Sequence, residues 1–130
     1  MPRIKYIAEG ITPNGAYSHA VESNGLIYFS GQTPIDPTTG KLVTGTIRDQ
    51  TKQSFKNLFS VLKSTGLTRE DVIKVNVYLT DMKNLKEMNE IYEDQFEEPY
   101  PARTTIGVKE LPREALIEIE MIAIRKKENI

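Results

Sequence analysis

Cysteine is absent from this 130-residue chain, which removes disulfides, thiol catalysis and thiolate metal sites together. A single histidine, His19, leaves little support for a His-rich metal site or for Ser-His-Asp chemistry with a spare base. Any catalysis must come from carboxylates, Arg, Tyr, Lys, hydroxyls, water or backbone groups. Nowhere does an apolar run approach the roughly 18 residues of a membrane span. After Met1-Pro2-Arg3 the pattern alternates, unlike the apolar stretch of an export signal, so the expected location is cytoplasmic. Excess charge is missing as well. A formal net charge of -1, with the signs mixed along the chain, offers no broad basic field and argues against a nucleic-acid partner. The basic tail Arg125-Lys126-Lys127, followed at once by Glu128, reads as a solvated terminus.

What is present is a soluble mixture, 38% apolar and 27% charged, expected to fold as one domain over residues 1–130. Ile4 to Ala8 reads as a short strand, stopped by the turn-forming Ile11-Thr12-Pro13-Asn14-Gly15. Tyr17–Ser23 and Leu26–Ser30 flank Asn24-Gly25, a dipeptide suited to a type I′ hairpin turn. Pro34 and Asp36-Pro37-Thr38-Thr39-Gly40 predict a loop. From Ile47 the period becomes helical, with Ile47, Thr51, Phe55, Leu58, Phe59 and Leu62 on one stripe and Gly66 as the stop. Val72–Thr80 predicts an inner strand, and Asp81 caps a second helix running to Phe96. Two further strands follow, Arg103–Val108 and Leu116–Ile124. The order implies an α+β domain, a mixed six-stranded sheet with two helices on one face. The uncovered face needs a partner, so the chain is expected to oligomerise through it.

The last strand holds an oddity. Leu116, Glu118, Glu120, Ile122 and Ile124 share one face, so Glu120 lies beside isoleucines. A carboxylate in such a setting can have a raised pKa and move protons near neutrality; it can equally be an edge charge that discourages aggregation. Arg103 offers a planar fork for capturing a carboxylate, or is an ordinary surface arginine. Ser30-Gly31-Gln32 ends the hairpin, where a glycine lets a ligand approach the backbone, or simply turns the chain. Tyr17 could supply a phenol, Asn89 a polar amide, and His19 shares the Tyr17 face by the two-residue period.

The segments Gly15-Ala16-Tyr17-Ser18, Phe29-Ser30-Gly31-Gln32-Thr33-Pro34, Asp71-Val72-Ile73-Lys74-Val75, Met88-Asn89-Glu90-Ile91-Tyr92, Pro101-Ala102-Arg103 and Ile117-Glu118-Ile119-Glu120-Met121-Ile122-Ala123 together resemble the RidA/YjgF family over essentially the whole chain. The resemblance implies a chorismate-mutase-like fold and a homotrimer with clefts between subunits. It also implies an activity, hydrolysis of imino and enamino acids to ketoacids and ammonia, with no metal or cofactor. Arg103 matches the arginine that holds the substrate carboxylate, and Glu120 the glutamate that positions the hydrolytic water and shuttles its protons. Tyr17, Ser30, Gly31 and Asn89 match positions lining the same cleft. Thr105 stands where many relatives have cysteine, and Ala16 where the family usually has proline.

Three rival readings compete with the deaminase. A trimeric regulator would bind a ketoacid or other small carboxylate through Arg103 without turnover. A tautomerase would use Pro2 as an N-terminal base, but a hairpin follows the proline here where such enzymes have a βαβ unit. An RNA-directed role would need the basic, aromatic-interleaved surface that this chain lacks.

Overall fold

The structure, a computed structural model, describes residues 3–8, 13 and 15–127. Pro2 and most of the 11–15 turn lie outside the described residues. Asn24 and Gly25 both adopt positive φ, 53° and 80°, as a type I′ turn requires. They join β2 (Ala20–Ser23) to β3 (Leu26–Gln32). β2 begins three residues later than the alternation predicts, because the Tyr17 N–H closes a tight local turn onto the Gly15 carbonyl at 2.9 Å. Ahead of the hairpin, β1 (Ile4–Tyr6) adds an outer strand.

The predicted loop after β3 contains a small ribbon instead, β4 (Ile35–Asp36) paired with β5 (Lys41–Leu42). Its turn is organised by Asp36, whose Oδ1 accepts from the Thr38 N–H at 2.9 Å and hydroxyl at 2.6 Å. Helix α1 (Ile47–Ser64) follows the predicted stripe. Asp49 reaches back to the Thr46 N–H at 3.2 Å at its start, and Gly66 ends it with φ 80°.

β6 (Val72–Leu79) leads through an Asp81-capped turn into α2 (Leu85–Glu93). The helix stops short of Phe96 because the Asp94 and Gln95 N–H groups bond only three residues back, tightening the last turn. Phe96 still enters the core, within 6 Å of Phe55, Phe59 and Tyr92 (centroid distances 5.8, 5.9 and 5.5 Å). β7 (Ala102–Gly107) returns parallel to β6, and β8 (Ile117–Ile124) lies antiparallel between β3 and β6. The six strands run in the order β1-β2-β3-β8-β6-β7.

Both helices cover one face of this mixed sheet. Ile27, Phe29, Val75, Val77, Leu79, Ile117, Ile119 and Met121 point into that layer and are buried. The opposite face is uncovered and graded. One end is apolar, with Tyr28 beside Ile122 and Leu26 beside Ile124. The other is polar, with Asn76 beside Glu120 and Tyr78 beside Glu118. The bare face is therefore half apolar and half polar. Arg125 also departs from the solvated tail expected of it. Its guanidinium grips both oxygens of nearly buried Glu22 at 3.0 Å and donates to the Thr65 carbonyl at 2.8 Å, fastening β2 to the end of α1. A basic run gives no hint of this, because the acid it needs lies 103 residues away.

Candidate functional site

Strand alternation decides where each candidate side chain goes. On β7, Arg103 and Thr105 lie beside Val75 and Val77 and so project toward the helices. Arg103 remains exposed at the sheet edge. Its Nη1 donates to the Asn89 Oδ1 on α2 at 2.7 Å, and its guanidinium carbon stands 4.6 Å from the centre of the Tyr92 ring. The amide and the ring hold the planar fork in one orientation while other N–H donors stay available. Among the described residues no carboxylate comes within ion-pairing distance of it. Thr105 has a buried hydroxyl without a hydrogen-bond partner, and so does Tyr92. Burial pushes the Tyr92 phenol up to about 12.

A second group lies at the other end of the molecule's chemistry. Tyr17, Ser30 and Gly31 line a cleft of about 680 Å³, together with His19, Asn57 and Glu118. Ser30 is fixed by donating to the Ser18 carbonyl at 2.7 Å. The ladder between β3 and β8 is irregular from Phe29 to Gln32, so Ser30 and Gly31 sit in a local break of the pairing. A Cβ at Gly31 would lie 2.7 Å from the Glu118 Oε2, so a side chain there would have to displace that carboxylate. His19 is buried, and its Nδ1 accepts the Ala8 N–H at 3.0 Å. That bond requires a bare Nδ1, and burial pushes the imidazole pKa below its ordinary value.

Glu120 belongs to neither group directly. It projects from the open face of β8, where the Tyr78 hydroxyl donates to its Oε1. This hydrogen bond and burial push the Tyr78 phenol up to about 12, so it stays a donor across the physiological range. Glu118, two residues earlier on the same face, is half-buried. Burial, reinforced by the neighbouring Glu120 charge, raises its pKa above the ordinary carboxylate value.

Within one chain, then, Arg103, Asn89 and Thr105 form one cluster, and Tyr17, Ser30 and Gly31 another. Arg103 and Glu120 project from opposite faces of the sheet. Sequence reasoning passed over Glu118, Tyr78 and Tyr92. The first had a visible signal, since it shares the Glu120 face by alternation. The others did not, because a tyrosine in an apolar stretch looks the same whether its hydroxyl is used or not. Among the described residues no cluster of His, Cys, Asp or Glu is arranged to hold a metal ion, and no helix is long and apolar enough to cross a membrane.

The model of the family described as Endoribonuclease L-PSP matches residues 8–125, nearly the whole chain. A RutC family protein of Aquifex aeolicus is 52% identical over 115 residues, covering 87% of this chain and 91% of that one. A 2-iminobutanoate/2-iminopropanoate deaminase of Mus musculus is 42% identical over 111 residues, covering 85% of this chain and 82% of the mouse protein. The chain belongs to the RidA/YjgF family. A RidA/YjgF member also needs to share the architecture, and the E. coli TdcF crystal structure with bound serine does so. It superposes with a TM-score of 0.88 at 32% identity, over 95% of this chain and 100% of TdcF.

Proposed function

We propose that this chain is an imine deaminase that converts 2-imino and 2-enamino acids, such as 2-iminobutanoate and 2-iminopropanoate, to 2-ketoacids and ammonia. It would do so as a homotrimer with clefts between subunits. The observation that carries this reading is the split site. Among the described residues a braced, exposed Arg103 without a carboxylate partner lies on the helix side of β7, while Glu118 and Glu120 project from the open face of β8 and the Tyr17–Gly31 cleft lies at the end of β3. Neither half suffices alone, and the uncovered sheet face between them needs a partner. Deaminases among the relatives and a serine-bound structural neighbour support a small amino-acid-like ligand.

Such a substrate carries a carboxylate, an electrophilic C=N carbon and a leaving ammonia. Arg103 of one subunit would hold the carboxylate through its fork, orienting the C=N group and removing much of the entropic barrier to attack. Thr105 would border this end of the substrate, its hydroxyl offering a hydrogen bond that a cysteine thiol makes only weakly. Tyr17, Ser30 and the Gly31 backbone of the neighbouring subunit would line the reacting end. Glu120, held in place by Tyr78, would position the attacking water. The test is ammonia release from 2-iminobutanoate, generated in place from threonine by a dehydratase, with wild type beside Arg103→Ala. Acceleration that vanishes in the variant supports the deaminase. Correctly assembled protein that binds ketoacid but does not accelerate release points to the regulator instead.

A further inference from the structure

The cleft that carries Tyr17, Ser30 and Gly31 does not end at them. It continues to the tip of the β4–β5 ribbon and to the turn Pro112–Glu114, which joins β7 to β8. That turn is strained: Arg113 and Glu114, neither of them glycine, both hold φ at 60°. In this conformation the exposed Arg113 guanidinium stands at the cleft rim, where its Nη1 donates to the Gly40 carbonyl at 2.8 Å. Its other N–H donors meet no carboxylate among the described residues. Of the residues that line the cleft, Arg113 is the only arginine or lysine and Glu118 the only acid, and the two form no ion pair.

We propose that Arg113 captures a second carboxylate at the far end of the substrate, which gives this chain activity on dicarboxylic 2-imino acids such as 2-iminoglutarate. This deepens the deaminase reading and rests on it for where the reacting carbon lies. With the first carboxylate on Arg103 of one subunit and the C=N carbon near Tyr17 and Gly31 of the next, the substrate side chain runs along the rest of the cleft. A volume of about 680 Å³ lies in the range of sites for ligands well beyond a four-carbon acid. The short side chain of 2-iminobutanoate has nothing to offer the rim, whereas a terminal carboxylate meets a planar fork with donors to spare. The bond to Gly40 holds that fork before substrate arrives, so less side-chain freedom is lost on binding. A phosphate dianion fits less well, because no second arginine or lysine lines the cleft. The chemistry is unchanged by the longer chain. Water adds to the C=N carbon, its oxygen becomes the keto oxygen, both its protons pass to the nitrogen, and the C–N bond breaks to give 2-oxoglutarate and ammonia.

The test compares kcat/KM for 2-iminoglutarate and 2-iminobutanoate, each generated in place from its amino acid by an oxidase with catalase present, in wild type, Arg113→Gly and Arg113→Lys. Glycine accepts the positive φ at this position without strain, so the turn survives the loss of the side chain. The expected result for Arg113→Gly is a fall of about 10- to 100-fold on 2-iminoglutarate, mostly in KM, with 2-iminobutanoate hydrolysed as by wild type. The unchanged second substrate separates a lost contact from misfolding. Arg113→Lys keeps the charge without the fork and should recover part of the difference. An equal effect on both substrates, or none on either, overturns the role of Arg113. So does a wild type that hydrolyses 2-iminobutanoate but not 2-iminoglutarate, and in these cases the deaminase reading stands. If wild type turns over neither, the deaminase reading fails and calorimetric binding of the products decides the inference. Tighter binding of 2-oxoglutarate than of 2-oxobutanoate, lost in Arg113→Gly, supports it, and equal binding overturns it.

Discussion

Replacing Arg103 with lysine preserves the charge and removes the fork. In the present arrangement one Nη1 hydrogen bond goes to Asn89 at 2.7 Å and the guanidinium lies over the Tyr92 ring, which leaves the remaining N–H donors to grip a carboxylate in its plane. Lysine offers a single ammonium on a flexible stem and cannot both bond Asn89 and present two parallel donors. The substrate therefore loses one charge-assisted hydrogen bond and part of its orientation. Such a bond is worth about 1.5–3 kcal/mol, which corresponds to a roughly 10- to 150-fold fall in kcat/KM. Because Arg103 is exposed at the sheet edge, the fold itself should shift by no more than about 0.5 kcal/mol. The assay is initial-rate ketoacid formation across a substrate range, with urea unfolding on the same samples. Wild-type kcat/KM in a well-folded Arg103→Lys would refute the clamp. An activity loss matched by an equal loss of stability would refute the idea that Arg103 is spared for substrate.

Three further outcomes follow from features away from that clamp. Arg125→Ala leaves the nearly buried Glu22 carboxylate without its guanidinium and should cost about 2–3 kcal/mol in urea unfolding; a change below about 0.5 kcal/mol would mean the ion pair does not fasten β2 to α1. Arg125 also holds the Glu22 pKa below its ordinary 4.5, so this stabilisation is complete above pH 4.5 and fades as pH falls through the depressed value. His19 acts in a separate window: burial lowers its pKa below 6.5, so between 6.5 and that lower value the unfolded chain binds a proton that the folded one declines, and stability falls on acidification. Melting temperatures from pH 8 to 5 should show this slope and lose it in His19→Gln; an unchanged slope would refute the assignment. On the open face, Ile124→Asp should convert the proposed trimer to smaller species in light scattering and abolish ammonia release with it. A fully active monomer would remove the argument from the split site.

Most of the fold was legible because each element carried a local signature. Asn24-Gly25 announces its own turn, the α1 stripe has a period that no strand can share, and Ile117-Glu118-Ile119-Glu120-Met121 alternates so cleanly that its faces can be written down in advance. The errors occur where backbone groups find partners that propensity does not count. Tyr17 spends its N–H on Gly15, Asp94 and Gln95 bond three residues back, and Asp36 organises a ribbon in what reads as a loop. The Arg125–Glu22 pair was invisible for a related reason, since it depends on two chain segments meeting and not on either one alone.

The candidate site was legible as a set of residue types but not as a geometry. Ala102-Arg103-Thr104-Thr105-Ile106-Gly107 has no apolar alternation, so nothing in it says which residues face the helices. Only pairing with β6 decides this: Val75 and Val77 are buried, so Arg103 and Thr105 beside them point the same way. β8 carries its own parity, which sends Glu118 and Glu120 to the other face. Once both parities are known, a cleft containing Arg103 and the acidic end of β8 cannot be built from one copy of the sheet without a side chain crossing a strand layer. A reaction that needs a carboxylate clamp and a water-positioning acid at one substrate therefore makes assembly part of the chemistry. The same face then has two duties, which accounts for its gradient: apolar Tyr28, Ile122 and Ile124 are suited to packing against another subunit, while Asn76, Tyr78, Glu118 and Glu120 are too polar to be buried there without hydrogen-bonded work to do.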